Sequence, residues 1–279
     1  MSMQTILLDA HVHLHRCFEP GAFLDNARAN FRAAARRVGW TNTVSCLWLT
    51  DTPEERSFRR LSRASVAGEQ MDRWSLTHTG EATSLVAVHE SGEKILLLAG
   101  RQIASRERLE VLALGTELDI PSGQSLGDTI AAVRERGAIA VVPWGFGKWW
   151  FRRSRLLAAT LASLTSGSFF VGDNASRPRV VPRSSLFELA ASRGIYNLPG
   201  SDPLPLRWEI RKPGRLGAVL DGPLDLSRPV ESLLRVLRGL RAQPPLFGRP
   251  ESLIGFVRSQ LGLRLRGRTA AVPANAEGN

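Results

Sequence analysis

LLDAHVHLH, residues 7–15, decides the reading of this chain. It continues the apolar run TILLD (5–9), which has the character of a buried strand ending in a histidine cluster. Alternate residues of an extended segment project to one side, so His11 and His13 can present two imidazoles to a single cation. Three of the five histidines of the chain lie in this stretch, behind Asp9. Metal ligation by His11 and His13 is the reading carried forward, and a hydrogen-bonded loop cluster is its rival. His15 reads as a supporting or exposed residue, and His78 and His89 as structural or surface residues.

Outward from this strand, apolar runs alternate with helical patterns. A helix is predicted over 22–38, with Phe23, Ala27, Phe31, Ala34 and Val38 on one face and Gly39 closing it. A strand at 42–49 ends at Thr50 and Asp51, and Pro53 opens a charged helix. SLVAVHE and KILLLAG, between 84 and 100, flank a Ser-Gly turn and predict a hairpin. Further apolar runs lie at 109–115, 138–142, 168–173, 195–200 and 216–220, with helical patterns at 125–137, 183–194, 228–241 and 250–261. Such alternation predicts an α/β fold with a largely parallel sheet and barrel-like closure. One domain is expected over 1–262, followed by a basic, disordered tail at 263–279.

The 279 residues are 43% hydrophobic and 23% charged, which excludes a disordered or fibrous chain. The formal charge is +11, yet only Lys94, Lys148 and Lys212 are lysines. The arginine excess is spread along the chain, so nucleic-acid binding is open but not favoured on charge alone. Cys17 and Cys46 are the only cysteines, which excludes a disulfide framework and a cysteine-rich zinc site. With no basic leader and no long apolar run, a cytoplasmic protein without a membrane span is expected.

In barrel-like α/β folds the site lies where strands end. That filter collects Asp9, His11, His13 and His15, then Asp51, Gln102, Trp144 and Lys148, then Asp173, Asn174, Ser201 and Asp202. Asp173 reads as a replacement ligand or a general base, or equally as the cap of an Asp-Asn turn. Asp51 reads as a proton acceptor or as the N-cap of the helix after Pro53. PWGFGKWWFRRSR, 143–155, could stack a ring and grip a phosphate, or pack over the barrel mouth with its arginines solvated. Arg177 and Arg179 could supplement an anion site.

The order LLDAHVHLH, LTD (49–51), AGRQI (99–103) with EVLALG (110–115), a Pro-containing strand end at 143 and GSD (200–202) resembles the polymerase and histidinol phosphatase (PHP) superfamily. The resemblance runs from residue 7 to about residue 204. It implies a distorted (β/α)7, TIM-like barrel that binds two or three divalent metals and hydrolyses phosphate esters. The family's Asp-x-His-x-His matches Asp9, His11 and His13, and its Gly-Ser-Asp matches Gly200, Ser201 and Asp202, the aspartate being a ligand. The chain departs from the pattern at several ligands. Thr52 stands for one histidine, Val142 for a second, Leu204 for a third, and Gln102 for a glutamate.

His11, His13, Asp202 and Gln102 therefore form the expected metal set, holding one divalent ion (Zn, Mn or Fe) rather than three. The expected activity is a phosphoesterase acting on a small phosphorylated or anionic substrate, with Asp173 or Asp51 taking a proton and Lys148 stabilising developing charge. The alternative is a barrel that has lost catalysis and binds a ligand or partner through loop 143–155.

Overall fold

The structure is a computed structural model describing residues 3–164 and 169–270. The chain begins with β1 (Met3–Val12), α1 (Pro20–Val38) and β2 (Thr43–Asp51), then α2 (Ser57–Val66). β3 (Trp74–His78), β4 (Ser84–His89), β5 (Lys94–Ala104) and β6 (Glu110–Leu114) follow, then α3 (Leu126–Glu135), β7 (Ile139–Pro143), α4 (Arg152–Ser163) and β8 (Phe169–Gly172). The rest comprises α5 (Leu186–Ser192), a 3-10 turn at Arg207–Arg211, β9 (Leu216–Pro223), α6 (Pro229–Arg238), β10 (Leu246–Gly248) and α7 (Leu253–Ala270). α7 runs past the expected domain end at 262, and 271–279 lie outside the described residues.

Eight strands form a curled sheet in the order β10-β9-β1-β2-β5-β6-β7-β8, with β3 and β4 attached beside β5. The fold is α/β, as expected, but the sheet is mixed rather than largely parallel. Among the described strands only β1–β2, β2–β5 and β7–β8 pair in parallel. The reason is local: β4–β5 and β5–β6 are hairpins, whose connections are too short for a crossover.

The strand ladder does not close into a barrel. The run at 195–200, expected as a strand, forms only isolated bridges to β8, at Val171–Asn197 and Asn174–Gly200. Its backbone nevertheless lies between β8 and the end of β1. Leu198 N donates to Val171 O at 2.7 Å, Ala10 N to Pro199 O at 3.2 Å and Asp202 N to His11 O at 2.8 Å.

Strand alternation sorts the core into layers. Ile6, Leu8, Cys46, Trp48, Leu96, Leu98, Leu112, Leu114, Ile139, Val141, Phe170 and Leu198 share one buried cluster with Leu233 and Leu237 of α6. The intervening residues, such as Leu7, Leu47, Leu97, Val111 and Val171, face the other way into two clusters shared with α1–α5. The first set lines the concave side, and the functional question becomes which polar residues continue its rows. Among the described residues no helix is long and apolar enough to cross a membrane.

Candidate metal centre

Simple alternation would not aim the histidines inward. Ile6, Leu8 and Ala10 are the concave residues of β1, so His11 would fall on the opposite face. The pairing with β2 shifts between Asp9 and Val12: Asp9 pairs with Leu47, but Val12 with Leu49, three residues against two. This β-bulge inverts the phase, a known means of re-aiming side chains near functional sites. Val12 and Leu14 then pack outward, and His11 and His13 point into the concavity.

Asp202 reaches the pair because the 195–202 segment approaches β1 very closely. A Cβ on Gly200 would lie 2.3 Å from His11 N and 2.4 Å from His11 Cβ, so only glycine fits there. Asp9, fully buried, locks the contact: its carboxylate accepts from Ser201 N and Gly214 N, each at 2.8 Å. Burial raises Asp9 to about 7 against these hydrogen bonds, so the first residue of the Asp-x-His-x-His run braces the site. Asp202 has φ 41°, a left-handed conformation uncommon outside glycine that aspartate tolerates better than most residues.

The result is a convergence of electron-pair donors. His11 Nε2 lies 3.1 Å from His13 Nε2, and Gln102 Oε1 lies 3.0 and 3.2 Å from these two atoms. Asp202 Oδ1 lies 3.5 and 3.6 Å from the same nitrogens. The ligand atoms of His11, His13 and Asp202 all lie within 4.8 Å of one another, and this trio could hold a metal ion. Tetrahedral ligands at ordinary zinc distances are separated by roughly 3.3–3.6 Å, so the donor set fits such an ion in chemistry and spacing.

The surrounding shell has the matching chemistry. Glu55 Oε2 holds His13 Nδ1 at 2.8 Å, which orients the ring with Nε2 toward the cluster. Glu55 also pairs with His15, whose Nε2 contacts Pro203 O at 2.7 Å. Asn174 Nδ2 donates to Asp202 Oδ2. Burial alone would lower His13, but the hydrogen bond and charge of Glu55 prevail and raise it to about 9. Burial lowers His11. For Asp202, burial acts upward, but the charges of His11 and His13 and the Asn174 hydrogen bond bring it below its ordinary value. His11 Nδ1 is buried without a partner among the described residues, so the tautomer of His11 is not fixed from behind as that of His13 is.

Two expected catalytic carboxylates point elsewhere. Asp51 continues the outward row of Leu47 and Leu49, accepting from Ser57 Oγ and from Phe58 N at 2.9 Å. It caps α2, whose first turn starts at Ser57 and not at Pro53. Asp173 continues the outward row of Val171 and forms a bidentate pair with Arg177, both contacts at 2.9 Å. That pair also consumes Arg177 as an anion ligand, while Arg179 donates to Pro250 O. Lys148 does line the cavity, where it is paired with Glu110.

The sequence reading passed over Glu55 and Glu110 and gave Asn174 no role. Row position could have found two of them, since Glu110 continues Leu112 and Leu114, and Asn174 continues Phe170. Glu55 has no such signal, because it reaches His13 from the turn before α2. His89 is structural, as read, packing against Trp74 at 4.9 Å.

The chain is similar to the solved structure of PsfC from Pseudomonas syringae PB-5123, at 14% identity and TM-score 0.60, over 95% of this chain and 100% of that one. It is also similar to the lesion-specific endonuclease PfuEndoQ from Pyrococcus furiosus, at 10% identity and TM-score 0.51, over 86% of this chain and 56% of that one. No protein-family model and no curated protein matches the sequence. At these identities the likeness is one of fold.

Proposed function

We propose that the chain is a divergent PHP-type, metal-dependent phosphoesterase that holds one divalent ion through His11, His13 and Asp202, with Gln102 as a neutral fourth donor. The observation that carries this reading is the convergence of residues almost two hundred positions apart at the open, concave end of the sheet. A divalent ion held there would supply Lewis acidity and lower the pKa of water toward neutrality. The protein's own part is positional. Glu55 fixes the donor face of His13, Asn174 fixes Asp202, and Asp9 holds the Gly200–Asp202 segment against β1. Lys148, on the cavity wall, binds an anionic ester oxygen as charge develops. Glu110, its partner on the same wall, would accept the proton that water gives up as it attacks phosphorus, a role for which Asp51 and Asp173 are already engaged elsewhere.

The substrate cavity of about 330 Å³ opens directly onto His13, Gln102 and Asp202. The test is metal analysis of freshly purified protein beside His11→Ala/His13→Ala, followed by turnover of a generic phosphate ester. Near one equivalent of metal, lost in the variant, with ester turnover is expected. Less than about a tenth of an equivalent, with no gain on adding Zn²⁺ or Mn²⁺, sinks the reading. Metal without turnover of any ester favours a binding protein instead.

A further inference from the structure

Among the described residues, no arginine lines the metal-centre cavity, although all but three of the 37 basic residues are arginines. Sites that grip a phosphate dianion commonly offer guanidinium forks to its oxygens. Here the only lysine on the wall is Lys148, already engaged by Glu110. The arginines of the 143–155 stretch contribute nothing to the lining, and Arg153 donates to Gly147 O. With Asp202, Glu110 and Glu55 counted against Lys148 and a divalent ion, the site is close to neutral. It carries no surplus positive charge, so each negative charge on a substrate adds to the cost and a dianion is held less well than a monoanion.

The wall also carries apolar groups. Trp144, Phe146, Leu204 and Phe256 line the cavity beside polar residues such as Ser176 and Gln260. Phe146 is 47% exposed and bridges two elements, its ring centroid 4.9 Å from Phe256 of α7 and 5.0 Å from Trp150. An aromatic bracket that remains accessible beside a reactive centre is a surface for another ring.

We infer that this site selects a substrate bearing a single negative charge and a planar ring, an aryl or nucleoside phosphodiester and not a phosphomonoester, with the ring seated on Phe146 and Phe256. The inference rests on the phosphoesterase reading for its reaction, but charge and ring selectivity are properties of the wall and can be measured without turnover. Three inert probes separate them by calorimetry at mildly alkaline pH: methyl(phenyl)phosphinate (one charge, one ring), dimethylphosphinate (one charge, no ring) and phenylphosphonate (two charges, one ring). Methyl(phenyl)phosphinate is expected to bind at least about tenfold more tightly than either of the others, the scale of one stacked ring.

Phe146→Ala/Phe256→Ala should abolish the advantage over dimethylphosphinate. Phe146→Leu/Phe256→Leu, which keeps apolar bulk while removing the planar faces, should lose most of it, and guards against misfolding of the first variant. Phenylphosphonate binding as tightly as methyl(phenyl)phosphinate, a ring advantage that survives both double variants, or no measurable binding of any probe overturns the inference. The ester assay fails separately: a protein that ranks the probes as expected but turns over no ester keeps this selectivity and loses the phosphoesterase reading.

Discussion

Asp173 and Asp202 end neighbouring extended segments, each following apolar residues and each close to the mouth of the same fold. Asp202 continues the row of Leu198 and Gly200 into the concavity, where it meets two imidazoles. Asp173 continues the row of Val171 to the opposite side, where Arg177 neutralises it. The difference is one of phase. Where no bulge intervenes, a carboxylate at a strand end faces the site only if it shares the parity of the inward apolar residues, and the same rule separates Gln102 and Asn174 from Asp51.

The sharpest way to break this comparison is to truncate both residues. Asp202→Ala should weaken metal binding by more than about 100-fold, beyond the range for an outer-shell partner, while the protein stays folded. Asp173→Ala should retain its metal but leave Arg177 uncompensated in a buried position, costing about 3–5 kcal/mol in urea unfolding. Metal loss in the Asp173 variant with metal retained in the Asp202 variant would reverse the assignment.

Gly200→Ala probes why the inward row arrives at all. With 2.3 Å between the new Cβ and His11 N, the segment must retreat from β1. A stability loss of about 1–3 kcal/mol is expected together with reduced metal content. Unchanged melting and metal content would mean that the close approach does not hold Asp202 in place.

Glu55→Gln tests the shell behind His13 and should weaken metal affinity by about 10–100-fold with little change in far-UV circular dichroism. The same Glu55–His13 pair sets a pH dependence. Glu55 raises His13 to about 9 in the absence of an ion, so the proton on Nε2 must leave when a cation binds. Apparent affinity should rise with pH up to about 9 and fall about tenfold per unit below it, with proton release visible in calorimetry in buffers of different ionisation enthalpy. Affinity that does not change from neutral to alkaline pH contradicts this coupling.

Much of the architecture was legible before any coordinates. The periodicity of 22–38 and its closing glycine correspond to α1 with Gly39 at φ 76°, and the 84–100 hairpin is β4–β5. The mixed sheet was not legible, because an apolar run such as 109–115 looks the same whether it pairs in parallel or antiparallel. Loop 143–155 was only half legible. Trp149 is buried, with Nε1 donating to Pro143 O, while Trp150 is 41% exposed, and nothing in the order of these residues distinguishes them.

The sequence by itself determined the chemistry available: a paired histidine motif, a distant Gly-Ser-Asp and apolar runs long enough for strands. Tertiary structure decided which groups meet. FFVGDN, 169–174, is apolar on both faces, so its alternation carries no visible phase, and the inward choice of Asn174 over Asp173 depends on what packs on each side. The bulge that turns His11 and His13 inward belongs to the register between β1 and β2, a property of two strands together. The bond between Glu55 and His13 likewise spans separate elements and exists only once the chain has folded.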